Sequence, residues 1–473
     1  MHPNSTHWTR RTFLRRASSL ALAGSAAPLA LNLAALGEAA AFNADDYKAL
    51  VCVFLFGGND HANTVVHADA ERHERYRRIR GTLALARDAL GPTLLRPAQP
   101  LSDGMQYALH PRMGALAALF NSGQAAILFN VGPLIVPLTK AQYLSGDVAR
   151  YPVPPKLFSH NDQASVWQAN DPEGATRGWG GLMGDLALAD NGGSLFTCIS
   201  ATGSGLFVSG DRALNYQVSK NGAVRVFALD HGPWGASTMA ATMRELMTEA
   251  HARAGAGLQP RHRALARRRG PGQRRAGRRA AAHRVPRGQP AGCRAAHRRA
   301  ADRRTPGTGR QVFLCSLGGF DHHDHLMTYH PGLVQHVSEA LAAFHQATVE
   351  LGVADKVTAF TASDFGRALS SNGNGTDHGW GSHHFVVGGA VRGSAFYGVP
   401  PAPSIGETTA PDDQWHVGHG RLLPTTSVDQ MAATLGRWFG ATDSELDLVL
   451  PNLRYFGGSQ AGIDYPRNLG FMA

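Results

Sequence analysis

Eight apolar residues in a row, ALVCVFLF at 49–56, run into the pair Gly57–Gly58. A strand with one face in water alternates apolar and polar side chains. A run with no polar member belongs to a strand covered on both faces, which restricts the fold to a sheet held between two layers. Four more runs share this character: AAILFNV (125–131), QVFLCSL (311–317), VTAFTA (357–362) and HFVVGG (384–389). Between QVFLCSL and VTAFTA lies GLVQHVSEALAAFHQATVELG, whose Leu333, Val337, Leu341, Phe344 and Thr348 recur at the spacing of one helix face. Buried strand, helix and buried strand make a crossover unit. The expected class is therefore α/β, a three-layer αβα sandwich around a mostly parallel sheet. Helical patterns also cover RMGALAALFNSG (112–123) and SVDQMAATLGRWFG (427–440), while 179–235, rich in Gly, Ser and Asn, reads as loops and short strands.

The chain opens with TRRTFLRR, in which Arg10 and Arg11 precede Phe13 and Leu14. A weakly apolar stretch over 17–37 and the small residues Ala39, Ala40 and Ala41 follow. This is the pattern of a twin-arginine export signal, residues 1–41, with cleavage before Phe42. Its partners are the twin-arginine translocase and a signal peptidase, and its destination is the periplasm or beyond. The alternative, a retained membrane anchor, is disfavoured by the Ala, Gly, Ser and Pro content of the stretch. Residues 42–473 are expected to form one domain without a stable membrane anchor, and 43% hydrophobic residues suffice for its core. The cysteines Cys52, Cys198, Cys293 and Cys315 have no close-spaced framework, so no structural disulfide is expected.

The net charge of +11 is concentrated in one place. Residues 261–310 hold 17 Arg, no Lys and one acid, Asp302; subtracting this segment's +16 from +11 leaves −5 for the remainder. Leu265 and Val285 are its only Leu, Ile or Val residues, so neither a helical nor a strand period fits it. The stretch 258–310 reads as a GC-rich gene translated out of frame between two compensating shifts. A basic arm for nucleic acid is the alternative, but such arms mix Lys with polar residues, and no nucleic-acid partner is expected.

Ligands of open parallel sheets bind beyond the carboxyl ends of the strands. Asp60 follows the first run through GGND, Asp321 follows QVFLCSL through GGFD, and Asp364 follows VTAFTA in ASDFGR. Each alone is an ordinary helix cap; three on one edge point to a site. Histidines cluster in GGFDHHDHLMTYH and GTDHGWGSHHF. Asp321 and His325 are four apart, so a helix starting after the strand would turn both to one point, with His378, His383 or His384 adding a further nitrogen. Carboxylate plus two imidazoles is a zinc-type donor set. The plainer alternative is a solvated His-rich surface loop.

At these residues the chain resembles the bacterial proteins of domain-of-unknown-function family 1501, relatives of the alkaline phosphatase and sulfatase superfamily. The resemblance rests on FLFGGNDHANTVV, LHPRMGALAALFNSGQAAILFNVG, LFSHNDQASVWQ, GWGGLMGD, QVFLCSLGGFDHHDH, TASDFGR, NGNGTDHGWGSHHFVVGG, MAATLGRWFG and PNLRYFGG. It implies an alkaline-phosphatase-like domain with two metal ions. The superfamily uses an Asp after the first strand, an Asp-x-x-x-His pair, an Asp-His pair and a late His. Asp60 matches the first, Asp321 and His325 the second, Asp364 the third, and His378 or His383 the last. Phe365 departs from the pattern, standing where His is expected; the departure leaves open one metal position with mostly oxygen ligands, a single metal, or none, and it favours the reading that keeps the fold without the chemistry. The resemblance thus implies Zn2+ at Asp321, His325 and His378 or His383, and Mg2+, Mn2+ or Ca2+ at Asp60 and Asp364. It implies Ser159 as a metal-activated nucleophile, against its plainer role as a turn cap, with Arg367 and Asn59 contacting a tetrahedral anion. The implied activity is metal-dependent hydrolysis of a small anionic phosphate or sulfate ester. The alternative is an exported metal-binding or surface-interaction protein without the chemistry.

Overall fold

The computed structural model describes residues 47–191, 194, 196–219, 222–223 and 309–473. The expected export signal, Cys293 and the Arg-rich stretch up to residue 308 lie outside the described residues. The chain divides into two compact units, 1–217 with 306–473 and 218–305. Of the second, the described residues are Val218 and Ser219, the end of a strand that begins at Asn215 in the first unit, lying antiparallel to Ala223 and Gly222.

The first unit is built, in chain order, from β1 (Lys48–Leu55), α1 (His61–Thr64), α2 (Ala70–Arg80), α3 (Gly114–Asn121), β2 (Ala125–Gly132), α4 (His160–Ala169), α5 (Trp179–Ala187), β3 (Cys198–Ser200), β4 (Asn215–Ser219), β5 (Arg310–Leu317), α6 (Leu326–Glu350), β6 (Val357–Ser363), β7 (Ser382–Val387), β8 (Ala395–Tyr397), α7 (Val428–Phe439) and α8 (Asp443–Val449), with shorter pieces between them. The sheet order is β8-β2-β7-β6-β1-β5-β3-β4. All five apolar runs are strands, and the expected α/β class stands. The one reversed strand among them is β7, antiparallel to both β6 and β2.

Strand β1 lies between β5 and β6, parallel to both, with Leu55 opposite Leu317 on one side and Ser363 on the other. The three strands therefore end level, which is why the loops carrying Asp60, Asp321 and Asp364 leave from one edge. Side chains alternate along β1. Leu50, Cys52 and Phe54 join Leu128, Leu314, Phe360 and Val386 beneath α4, α5, α7 and α8, meeting Trp167, Trp179, Met183, Met431 and Leu446. Ala49, Val51 and Val53, equally buried, turn to the other face. There α3, lying against β2, packs on α6, and the Leu116 N–H donates to Ser338 Oγ at 2.9 Å. Each such apolar side chain contributes about 1.5–3 kcal/mol by leaving water. Cys52, Cys198 and Cys315 are buried free thiols. No helix among the described residues is long and apolar enough to cross a membrane.

Helix α5 departs from the expectation of loops at 179–235. Its glycines lower helix propensity by about 1 kcal/mol each relative to Ala, yet they serve close packing. A Cβ on Gly181 would lie 2.1 Å from the carbonyl carbon of Ser209, and one on Gly184 would lie 2.3 Å from Cys198 Sγ. Gly181→Ala is therefore expected to lower the urea midpoint, whereas a propensity gain alone would raise it. A raised midpoint would show that the helix does not approach Ser209 so closely.

Candidate metal centre

Asp321 is carried past the end of β5 to meet the β1 loop. A Cβ on Gly57, whose φ is 114°, would lie 2.4 Å from the Asp321 nitrogen, so the two loops touch only because residue 57 is glycine. Three histidines surround the Asp321 carboxylate. His160, the first residue of α4, has Nε2 3.3 Å from Oδ2. His378, in the loop before β7, has Nε2 3.3 Å from Oδ1. His323 Nε2 lies 3.2 Å from Oδ1 and 2.8 Å from His378 Nε2. One ligand atom from each of His160, Asp321 and His378 falls within 4.8 Å of the others, the spacing a single metal ion requires.

The outer nitrogens of these rings decide what the inner ones offer. His378 Nδ1 is 2.6 Å from the Phe158 carbonyl oxygen. A carbonyl only accepts, so Nδ1 carries the proton and Nε2 of the neutral ring presents a lone pair. His160 Nδ1 is 2.7 Å from Asp364 Oδ2, which also accepts the Gly57 N–H at 3.0 Å. The same logic turns the His160 Nε2 lone pair toward Asp321. His323 Nδ1 lies 3.5 Å from Asp377 Oδ1. Lone pairs thus converge on a carboxylate, an arrangement that calls for a cation between them, either a proton or a metal ion.

Electrostatics keep the carboxylate ready. Burial raises the Asp321 pKa, but the hydrogen bond and charge of Arg367, 3.0 Å away, together with His160 and His323, bring it below the ordinary value. Burial holds His378 below the usual imidazole range. The hydrogen bond to Asp364 raises His160, so a proton competes with a metal for that ring. Phe365 forms a wall, its ring 4.7 Å from that of His160 and 4.6 Å from that of His378.

Other expected site residues are placed differently. His325 does not join Asp321. The helix begins only at Leu326, so the four-residue spacing is spent on a turn, and His325 is its exposed N-cap, 3.3 Å from Asp324. His323 stands at the carboxylate instead. Asp60 and Asp364 do not share an oxygen-rich pocket: Asp60 is sealed in an ion pair with Arg80, both side chains wholly buried, while Asp364 faces His160. Burial tends to raise Asp60, and the charge and hydrogen bond of Arg80 together with His330 and His61 leave its pKa lowered. His383 is buried away from Asp321, its Nδ1 accepting the Asn130 N–H and its ring 5.0 Å from that of His61.

Ser159 donates its hydroxyl to Asp162 at 2.8 Å beside the start of α4. Arg367 uses Nη1 on Gly57 O and Asp321, and Nε and Nη2 on Thr376, so its fork is committed to protein groups. The Asn59 side chain is engaged with Thr64 and His330. The sequence reading missed His160, His323 and Asp377. His160 was visible beside Ser159 in LFSHND, and Asp377 beside His378 in GTDHGW.

His383 lines a cavity of about 30 Å3 together with His61, His67, Tyr76 and His416. Burial lowers His61, His67 and His416 each to about 4. Their folded values lie below the ordinary 6.5, so the unfolded chain takes up protons first as pH falls. Their contribution to stability is complete above pH 6.5 and lost between 6.5 and 4, on the order of 3 kcal/mol for each ring. Urea midpoints measured from pH 7 to 4 should fall steeply, and His416→Gln should flatten the slope. A flat wild-type profile would mean that these rings are not buried in neutral form.

No curated protein matches the chain. The solved structure titled "Crystal structure of Ps i-CgsB" is similar over 85% of this chain and 74% of that one, at 10% identity and a TM-score of 0.31, a score too low to establish a common fold. The family model described as "Protein of unknown function (DUF1501)" matches residues 47–451, a span that holds every residue of the centre, and the chain belongs to that family.

Proposed function

We propose that this chain is an exported, metal-dependent hydrolase of small anionic esters, with one divalent ion held by His160, His378 and Asp321. The observation that supports it is the pair of imidazole lone pairs facing one ionised carboxylate, each ring oriented by a fixed outer partner. The donor chemistry fits: imidazoles with a single carboxylate suit Zn2+, and His160 Nε2 is buried without a hydrogen bond among the described residues. A bound divalent ion there supplies Lewis acidity and lowers the pKa of a water it holds.

The chain's own residues prepare that chemistry. Asp364 and the Phe158 carbonyl hold His160 and His378 in the ligating tautomer. Arg367 keeps Asp321 ionised, and Phe365 excludes water from one side. Because the Ser159 hydroxyl is committed to Asp162, water is the nucleophile in this reading. That same commitment favours a second reading, an exported metal-binding protein without turnover. Export to the periplasm or beyond rests on the Arg10–Arg11 signal.

Plasma mass spectrometry of mature protein prepared without chelators should find one equivalent of Zn2+. Asp364→Asn should weaken metal affinity about 10–100-fold by loosening His160, and His378→Ala should abolish metal uptake. The zinc-loaded protein should hydrolyse aryl phosphate or aryl sulfate esters. Metal without hydrolysis leaves the binding-protein reading, and a folded wild type that takes up no metal overturns both.

A further inference from the structure

If a tetrahedral anion reaches this centre, some group other than Arg367 must meet its charge. Arg367 has its guanidinium nitrogens on Gly57, Asp321 and Thr376, and Arg80 is sealed against Asp60. Arg421 is different. Its Nε donates to the carbonyl of His378 at 2.8 Å, and its guanidinium carbon lies 5.0 Å from the centre of the Phe158 ring. It therefore touches both the ligand His378 and the residue whose carbonyl fixes that ligand's tautomer. Among the described residues, Nη1 and Nη2 of Arg421 make no hydrogen bond, and the side chain is only partly buried. Four of its five N–H donors are left over.

The segment that carries Arg421 is sewn down. The Arg421 N–H donates to Gly418 O and its carbonyl accepts from Val417, both at 2.9 Å, while Gly381 N donates to Leu422 O at 3.0 Å. Ser370 N and Leu369 N reach His419 O and Gly420 O. Phe158 has φ 75°, a backbone conformation a bulky residue rarely adopts. That strain is spent on placing one residue's carbonyl against His378 and its ring under Arg421.

We infer that Arg421 is the anion-binding residue of the site, its Nη1–Nη2 edge taking two oxygens of a tetrahedral oxyanion, a phosphate or sulfate group, beside the ion held through His378. The inference deepens the metal-centre reading and rests on it for the position of the ester. A planar fork fixed by stacking and by one hydrogen bond loses little freedom on binding, which is what bidentate recognition of such an anion requires.

The test is calorimetric titration of inorganic phosphate and inorganic sulfate into zinc-loaded wild type, Arg421→Ala, Arg421→Lys and Phe158→Leu, each checked for metal content and melting temperature. Wild type should bind at least one of the two anions. Arg421→Ala should weaken that binding at least tenfold with metal content unchanged, and Arg421→Lys should recover part of the loss, keeping the charge but not the fork. Phe158→Leu keeps the backbone carbonyl and loses the ring, so it should weaken anion binding while metal is retained. Equal affinity in Arg421→Ala and wild type, or no anion binding by zinc-loaded wild type, overturns the inference. If wild type takes up no metal, the metal-centre reading fails by itself, whereas a phosphate affinity that still depends on Arg421 supports this inference alone.

Discussion

The Arg367 guanidinium, wholly buried, ties together the loops on which the centre stands. It follows β6 and bonds Gly57 O beyond β1, Asp321 beyond β5 and Thr376 in the loop that leads to β7. A buried guanidinium is tolerated only when its donors are matched, because removing the charge from water costs several kcal/mol. That requirement acts as a geometric clamp: the loops must sit where the fork can reach them. The level ending of β1, β5 and β6 makes the arrangement reachable, and glycine at 57 lets the backbones close on it.

Three carboxylates at this edge carry different tasks because their surroundings differ. Asp60 is sealed with Arg80, both side chains wholly buried. Asp321 keeps 45% of its side chain exposed and faces three imidazoles, with Arg367 holding only one of its oxygens. Asp364 stands between these cases, buried, with one oxygen committed to Gly57 and His160. The superfamily resemblance assigned all three to metal. The partners each one meets divide them into a buried ion pair, a carboxylate faced by imidazoles and an acceptor that orients His160.

How much of this could be read from the sequence follows from which physics is local. Fully buried strands announce themselves by composition, so β1, β2, β5, β6 and β7 were legible, and with them the common edge and Asp321, Asp364 and His378. The Asp321–His325 spacing misled because it presupposes a helix beginning at the aspartate, while the chain turns first and starts the helix at Leu326. Helix α5 was hidden by its glycines, whose purpose appears only when the 206–210 segment lies against them. Helix α4 was hidden by the polar start HNDQ; that start puts His160 at the carboxylate, while Trp167, further along, fills the core. No local pattern reports a contact between residues 160, 321 and 378, because each is placed by a different loop.

Phe365 ties the remaining pieces together. Read against the superfamily pattern it is a lost ligand, and a lost ligand argues for a lost metal. In the fold its ring lies against both His160 and His378, so it shapes the rings that are present rather than marking one that is absent. An apolar wall lowers the local dielectric, which strengthens the hydrogen bonds that set the tautomers of those rings. It also makes the protonated state of His378 harder to reach, in line with the lowered pKa that burial gives that ring. A His at this position would bring another titratable nitrogen beside two rings whose lone pairs already face one carboxylate, whereas Phe brings none. The departure at residue 365 and the convergence of His160, His378 and Asp321 are therefore linked: the ring that stands there packs against both imidazoles that face the carboxylate.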